Sequence, residues 1–155
     1  MNTQLRRKSD TEIEVTRVFD APAHLVFQAW TTPALLRRWW APRSMGMELT
    51  ICEVDARTDG SYRFRFSVHG EALDMDFVGQ YREVTPYSRI VWTNEEDPGG
   101  AATTVTLVEQ GGQTLVSVLD TYPSKAALEA NQGAEQGLPE QYAQLDDLLT
   151  GLAAA

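Results

Sequence analysis

The stretch from Asp59 to Thr93 constrains the fold most strongly, because it alternates in character over three successive runs. Apolar or small residues hold every second position of each run, and mostly polar residues hold the positions between. The alternating set is Tyr62, Phe64, Phe66, Val68, Met75, Phe77, Gly79, Tyr81, Ile90 and Trp92. Turn-forming residues separate the runs at 69–71 and 85–88. A period of two is typical of a strand with one buried face, so the stretch predicts an antiparallel meander with one aromatic face.

Further strands and helices flank this meander. Alternation predicts strands at 12–20, 45–54, 102–109 and 113–122. Spacings of three and four residues predict two short helices starting near Pro22 and Pro33, and a long C-terminal helix from Ser124, which Gly133, Gly137 and Pro139 would weaken or bend. Asp20 is expected to cap the first helix. Because helices and strands are segregated, the order predicts an α+β fold in which a curved antiparallel sheet of six to seven strands wraps around the long helix.

Length and composition exclude several classes of protein. The 155 residues fit one domain, predicted at 12–155, after a polar segment at 1–11 that is expected to be a flexible tail. A net charge of -9 argues against binding to nucleic acids or anionic membranes. No apolar run approaches the ~20 residues of a membrane span, and the N-terminus lacks the apolar segment of a secretory signal. One cysteine suits a reducing cytoplasm, which is the expected location.

Candidate reactive residues are few. The single cysteine, Cys52, lies in a strand-like run and is interpreted as a packing residue. The two histidines, His24 and His69, are expected on the surface, and no metal-ligand cluster is visible, so neither a metal nor a cofactor is predicted. Asp74 and Asp76 are expected to face solvent and to form cross-strand pairs with arginines at 63 and 65.

Asp120 is expected on the same face of its strand as Val116, Val118 and Tyr122, because it lies an even number of residues from each of them. A carboxylate on a buried face is costly unless it is paired or protonated, and it could then act as a general acid or base. Alternatively, the strand end splays and Asp120 meets water or an arginine. Asp120 is therefore a weak catalytic candidate.

A sheet wrapped around one helix tends to leave a cavity between them, and aromatic residues dominate its expected lining. Trp39 or Trp40 is predicted to form a wall of the cavity's mouth, beside a loop at 42–46 that could open. At least one of the two tryptophans is expected to pack in the core. Tyr122 and Tyr142 would provide polar groups that orient a ligand. The full predicted lining is Trp39, Trp40, Phe64, Phe66, Met75, Phe77, Trp92, Asp120, Tyr122, Leu138 and Tyr142.

Three segments carry a resemblance to a known family. They are a WW-x-P element ending the stretch 15–42, DARTDGSYRFRF at 55–66, and FVGQYREVTPYSRIVWT at 77–93; the hairpin at 103–122 follows in the same order. Across roughly residues 12–152, the chain resembles the START-like, Bet v 1-like superfamily, and within it the branch named after the C-terminal domain of Aha1, an activator of the Hsp90 ATPase. The resemblance implies a helix-grip fold with a pocket under the long helix.

Two positions depart from the family's pattern. Family members often have a histidine where Asp120 stands, and many have a Gly-Trp pair where this chain has Gly137-Leu138-Pro139. Both positions would line or border the pocket, so the resemblance implies a pocket of different polarity and width here.

The resemblance does not imply one activity, since members include ligand carriers, antibiotic-sequestering proteins, polyketide cyclases and chaperone activators. The favoured hypothesis is binding of a hydrophobic or aromatic small molecule in a central cavity without covalent chemistry, because no catalytic set is recognisable. The first alternative is a polyketide cyclase or dehydratase that uses Asp120 and a tyrosine. The second is activation of an Hsp90-type ATPase through protein contacts. A homodimer, through a sheet edge or through the loop at 42–46 that follows the two tryptophans, is compatible with the sequence.

Overall fold

The computed structural model describes residues 3–95, 100–130 and 138–154, and within them one antiparallel sheet dominates. Its eight strands are β1 Gln4–Arg7, β2 Glu12–Phe19, β3 Met47–Val54, β4 Ser61–Val68, β5 Glu71–Thr85, β6 Arg89–Thr93, β7 Ala102–Gln110 and β8 Gln113–Thr121. The helices are α1 Ala23–Thr31, α2 Pro33–Trp39, α3 Lys125–Ala130 and α4 Leu138–Ala154, with a 3-10 turn at Arg43–Met45. The strand order is β1-β2-β8-β7-β6-β5-β4-β3. The α+β, helix-grip prediction is confirmed, but the sheet has eight strands in the described part of the chain instead of the expected six to seven, because β1 was not predicted.

The two faces of the sheet differ as the alternation predicts. The inner face packs against α1, α2 and α4 and forms the core, while the outer face points away from them. The largest fully buried side chains include Phe19, Val26, Leu36, Trp39, Ile90, Val105, Val116, Leu145 and Leu149. Burying each large apolar side chain contributes roughly 1.5–3 kcal/mol, so this face provides most of the driving force that attaches the helices.

Gly79 in β5 shows how closely the inner face is packed. A Cβ atom at this position would lie 1.9 Å from the Thr93 carbonyl oxygen and 2.6 Å from the Tyr62 ring. The Tyr62 ring crosses the glycine, and its hydroxyl donates a 2.8 Å hydrogen bond to the Thr93 carbonyl. Because Gly79 has no side chain, Tyr62 of β4 can cross β5 and form its hydrogen bond with β6.

The N-terminal segment differs from the expected flexible tail. Residues 4–7 form β1, which pairs antiparallel with β2 at the edge of the sheet. Arg6 and Lys8 each form an ion pair with Glu14 of β2. This strand is exposed on both faces, so it lacks the apolar alternation by which a strand is recognised in a sequence.

The cap of α1 also differs from the prediction. The helix begins at Ala23, and no side chain of the preceding residues caps it. Instead, the Ala23 amide donates a 2.7 Å hydrogen bond to the Glu109 carboxylate, at the far end of β7. The acceptor therefore comes from the sheet, where a carboxylate also suits the positive end of the helix dipole.

The predicted C-terminal helix corresponds to α3 and α4. The bend expected near Gly133 and Gly137 falls at residues 131–137, outside the described part of the chain. Residues 96–99 also lie outside it. Pro139 stands in the first turn of α4, where a proline is tolerated because the first amides of a helix have no helical acceptor.

Candidate functional site

The candidate site lies on the inner face of the sheet, where β8, β7 and β6 place Asp120, Thr103 and Trp92 in one row across the strands. The Thr103 hydroxyl is buried and donates a 2.6 Å hydrogen bond to the Asp120 carboxylate. Parity therefore predicted the orientation of Asp120 correctly. Its carboxylate is half-buried and paired with a hydroxyl rather than immersed in water.

A chain of hydrogen bonds continues from Asp120 across the inner face. The Asn94 side-chain amide donates to the Thr103 hydroxyl at 3.1 Å and to the Ala101 carbonyl at 2.6 Å. The Tyr62 hydroxyl, whose proton points mainly to the Thr93 carbonyl at 2.8 Å, lies 3.4 Å from the Asn94 side-chain oxygen and makes at most a weak, shared hydrogen bond to it. We call Tyr62, Asn94, Thr103 and Asp120 the polar chain. It gives a largely aromatic surface a small set of oriented donors and acceptors.

Aromatic rings lie beside the polar chain. The Trp40 ring centroid is 5.6 Å from that of Phe64 and 6.4 Å from that of Trp92. Trp40, Phe77, Trp92 and Val118 are only half-buried although they pack against the core. Together with Asp120, these four residues define what we call the inner patch.

Trp39, the other half of the tryptophan pair, has a different environment. Its side chain is fully buried, and its indole N–H donates a 2.9 Å hydrogen bond to the Ala29 carbonyl. Its ring contacts Trp30 and Tyr142 at centroid distances of 4.8 and 6.4 Å. Trp39 therefore joins α1, α2 and α4, and only Trp40 reaches the inner patch.

The remaining predicted lining residues fall into three environments. Phe64 and Phe66 are buried on β4, whereas Met75 is exposed. Tyr122 and Leu138 are half-buried, just after β8 and at the start of α4. Tyr142 is buried against Phe19; burial first, and then the charge of Asp120, raise its pKa. Because a raised pKa keeps the Tyr142 hydroxyl protonated, this residue suits hydrogen bonding better than proton abstraction.

A second set of contacts ties α4 to the segment after α2, and we call it the latch. Gln144 of α4 is buried, and its amide nitrogen donates to the carbonyls of Trp39 and Ala41 at 3.1 and 2.9 Å. Its side-chain oxygen accepts a 2.9 Å hydrogen bond from the Arg43 amide. Gln141 donates to the Trp40 carbonyl at 2.7 Å.

Glu140 completes the latch at the exposed end of α4. Its carboxylate accepts hydrogen bonds from both the hydroxyl and the amide of Ser44, and these bonds lower its pKa. The loop at 42–46, predicted to open, is thus fixed to α4 by side chains of the helix. The sequence gives no signal for the latch, since glutamines on a helix resemble a solvated face.

Arg17 provides another connection between the sheet and α4. It lies on the inner side of β2, only 9 % of its side chain is exposed, and it forms an ion pair with Asp146 of α4. Its guanidinium lies 5.5 Å from the centre of the Phe19 ring and also donates to the Thr3 hydroxyl. An arginine among apolar positions is therefore held by a carboxylate, a hydroxyl and an aromatic face.

Other predicted residues lie away from the inner patch. Asp76 accepts hydrogen bonds from Arg65 and Arg63 at 2.6 and 2.7 Å, which lower its pKa and confirm the expected cross-strand pairing. Asp74 is exposed. Cys52 is buried, and burial raises the pKa of its thiol to about 11, as suits a packing residue.

Two cavities lie outside the space between the sheet and α4. One, of about 580 Å³, is bordered by β3, β4 and β5, with Val54, Tyr62, Val78 and Gly79 among its lining residues. The other, of about 550 Å³, lies on β1 and β2. Within the described residues, no helix is long and apolar enough to cross a membrane. Those residues also contain no group of three or more His, Cys, Asp or Glu side chains arranged to hold a metal ion.

A comparison with known protein families shows to which family this chain belongs. The model of the family described as "Activator of Hsp90 ATPase homolog 1-like protein" matches residues 20–150. The chain belongs to this family. The resemblance noted in the sequence is thereby confirmed for this AHSA1-like protein.

Solved structures share the AHSA1-like fold along nearly their whole length. A Rhodobacter sphaeroides protein is 24 % identical with a TM-score of 0.88, covering 97 % of this chain and 99 % of that one. Protein CV1439 from Chromobacterium violaceum is 28 % identical with a TM-score of 0.76, covering 89 % and 96 %. An AHSA1-like protein from Aeromonas hydrophila is 17 % identical with a TM-score of 0.68, covering 86 % and 92 %. No curated protein matches the chain.

Proposed function

We propose that this AHSA1-like protein binds a hydrophobic or aromatic small molecule against the inner patch, without covalent chemistry. The observation that carries the proposal is a contrast along the inner face. Near α1, the inner side chains, such as Phe19 and Val105, are completely buried. At the inner patch, large aromatic rings stay half-buried beside oriented polar groups, which is the composition of a small-molecule site.

The inner patch favours a ligand with a flat apolar part and at least one donor group. The rings of Trp40 and Trp92 offer faces and edges for aromatic contact. The Asp120 carboxylate accepts a hydrogen bond from Thr103, and an ionised carboxylate can accept more than one. A ligand hydroxyl or amine can therefore donate to Asp120 while its apolar part contacts the tryptophans.

Binding of a ring-sized ligand requires a side chain to move, because Trp40 contacts both Phe64 and Trp92. The latch holds Trp40 only by its backbone carbonyl, through Gln141. The indole can therefore turn away while the hydrogen bonds of the latch remain intact. We expect ligand binding to change the tryptophan fluorescence without unfolding any element.

The test is native mass spectrometry of the purified protein, followed by a thermal-shift screen with flat aromatic and acyl compounds. A ligand at 100 times its dissociation constant should stabilise the protein by about 2.7 kcal/mol. Val118→Phe, which fills the inner patch, should abolish this stabilisation. The matched control is Val78→Phe, a half-buried valine that instead lines the cavity of about 580 Å³. Loss of binding in the control alone would place the ligand in that cavity and contradict the proposal.

An enzyme of the cyclase or dehydratase type is the second candidate, favoured by the position of Asp120 on the inner face within the polar chain. Asp120→Asn separates the two functions, because it keeps the shape of the site but removes the acid–base group. Loss of product formation with unchanged ligand affinity would support the enzyme. No turnover of any bound compound by the unaltered protein would support binding alone.

A further inference from the structure

The outer face of the sheet carries an uncharged surface across β2, β8, β7 and β6. We call this surface the outer patch; it consists of Thr16, Val18, Val91, Thr104, Thr106, Val108, Leu115, Ser117 and Leu119. None of the nine is charged, although the chain contains 13 basic and 22 acidic residues. Val108 and Leu115, which pair across β7 and β8, are 45 % and 41 % exposed. Apolar side chains this exposed at adjacent positions often mark an interaction surface.

We propose that the outer patch is the contact surface of a homodimer, in which the sheets of two copies stack face to face. Consider a two-fold axis that runs parallel to the strands, between β8 and β7. Because the strand order is β2-β8-β7-β6, this axis places β8 on β7 of the second copy and β2 on β6. Since Leu115 and Val108 are register partners, each Leu115 then lies on Val108 of the other copy.

The charges that border the outer patch fit the same arrangement. One row across the sheet reads Arg6, Glu14, Leu119, Thr104, Val91 and Glu83. The two-fold axis exchanges β1 with β5, so Arg6 of each copy faces Glu83 of the other. The axis also places Arg89, on β6, over β2 of the second copy, where it lies opposite Thr16 and one row of residues away from Glu14. Within one chain Arg6 already pairs with Glu14, and Arg89 with Glu83, so the contact would join these two ion pairs into one network on each side of the uncharged centre.

Net charge favours a second copy at this surface over other parts of the molecule. Two chains of charge -9 repel each other wherever acidic side chains meet, and the outer patch is free of them. Strands of 8, 9, 9 and 5 residues, with a rise of about 3.4 Å per residue and a spacing of about 4.8 Å, cover about 500 Å², which the relief of the side chains increases. That is more than half of the roughly 800 Å² per partner of a stable interface.

Sedimentation velocity over a concentration series tests the proposal. The unaltered protein should have twice the 17.3 kDa mass of one chain. Leu115→Lys should raise the dimer dissociation constant at least about 100-fold, since the two-fold axis brings the new charge into the contact twice. The matched control is Leu73→Lys, a leucine of nearly equal exposure, 40 %, on β5 outside the outer patch. It should remain dimeric, and circular dichroism should show both variants folded.

Charge reversal gives an independent readout. Arg6→Glu and Glu83→Arg should each weaken the dimer about 3–10-fold, and the double variant should regain part of the affinity, because the opposite pair between the copies is restored while the pairs with Glu14 and Arg89 within each chain are lost. A single-chain mass for the unaltered protein up to about 0.5 mM would overturn the proposal, since stable interfaces associate well below that concentration. A dimer that persists in Leu115→Lys would overturn it as well, and would place the contact at another surface.

Discussion

Replacing Gln144 by leucine tests how much the latch contributes to the stability of the fold. Leucine approximates the volume of glutamine and keeps its helix propensity, so packing and α4 itself change little. The substitution removes three hydrogen bonds, to the carbonyls of Trp39 and Ala41 and from the amide of Arg43. Its effect therefore reports mainly on those backbone groups.

The magnitude follows from which of the three groups can reach water. Trp39 and Ala41 are buried, so their carbonyls lose their side-chain partner without regaining a solvent one, at about 1–3 kcal/mol each. Arg43 is exposed, and its amide can bond to water at little cost. The expected loss in the free energy of unfolding is about 2–4 kcal/mol, which lowers the melting temperature of a chain of this size by about 5–15 °C.

Urea denaturation monitored by tryptophan fluorescence measures this loss. The matched control is Gln141→Leu, which removes a single hydrogen bond from a half-buried glutamine of the same helix and should cost about 1 kcal/mol. If Gln144→Leu costs no more than Gln141→Leu, the buried carbonyls find other acceptable partners and the reasoning is wrong. An unchanged denaturant slope in both variants would show that the comparison concerns one unfolding transition.

Three further predictions concern other parts of the sheet and α4. Hydrogen bonds from Arg65 and Arg63 lower the pKa of Asp76 below its ordinary 3.8, so the ionised carboxylate stabilises the folded protein above pH 3.8. This stabilisation is lost as the pH falls through the lowered pKa. When the free energy of unfolding is measured against pH, Asp76→Asn should lack this acid-dependent loss. Cys52, with a thiol pKa of about 11 and little exposure, should react with a thiol-specific disulfide reagent at pH 8 only after unfolding, and fast reaction of the folded protein would disprove its burial. Gly79→Ala should lower the free energy of unfolding by at least about 2 kcal/mol, because its Cβ would clash with the Thr93 carbonyl. Gly151→Ala, in a helix with open space around it, should raise that free energy by up to about 1 kcal/mol. The melting temperatures of the two variants should therefore shift in opposite directions.

The meander and its parity could be predicted because the information is local. Each strand of 59–93 carries its own apolar face, and the turns between the strands are short. Met75 shows the limit of this reasoning. Its parity predicts an inward side chain, but the β4–β5 register shifts between Arg65 and Ser67, and the residue is exposed.

Contacts to backbone groups could not be predicted in the same way. Gln144, Gln141 and Glu109 each bond to a main-chain amide or carbonyl of a segment distant in sequence. Every residue has such groups, so no complementary side chain reveals the partner. The latch and the cap of α1 therefore became visible only when the elements were placed together.

The candidate site was predicted in part. Parity placed Asp120 on the inner face, and its pairing with Thr103 follows from the register of β7 and β8. Adjacent tryptophans at the end of a helix, in contrast, point about 100° apart, and which of them enters the core depends on where α4 packs. The different environments of Trp39 and Trp40 are thus a property of the assembled fold.

The position of β2 beside β8 has a consequence for how the chain is made. Ile13 pairs with Asp120, so β2 must wait for a partner strand that is synthesised about 100 residues later. The hairpins from β3 to β7 can form meanwhile from neighbouring segments, whereas β2 keeps its apolar residues uncovered. Long-range pairing of this kind slows folding, and exposed strands of incomplete chains associate readily. A circular permutation that places β2 after α4 would shorten the separation between β2 and β8 along the chain and should speed refolding.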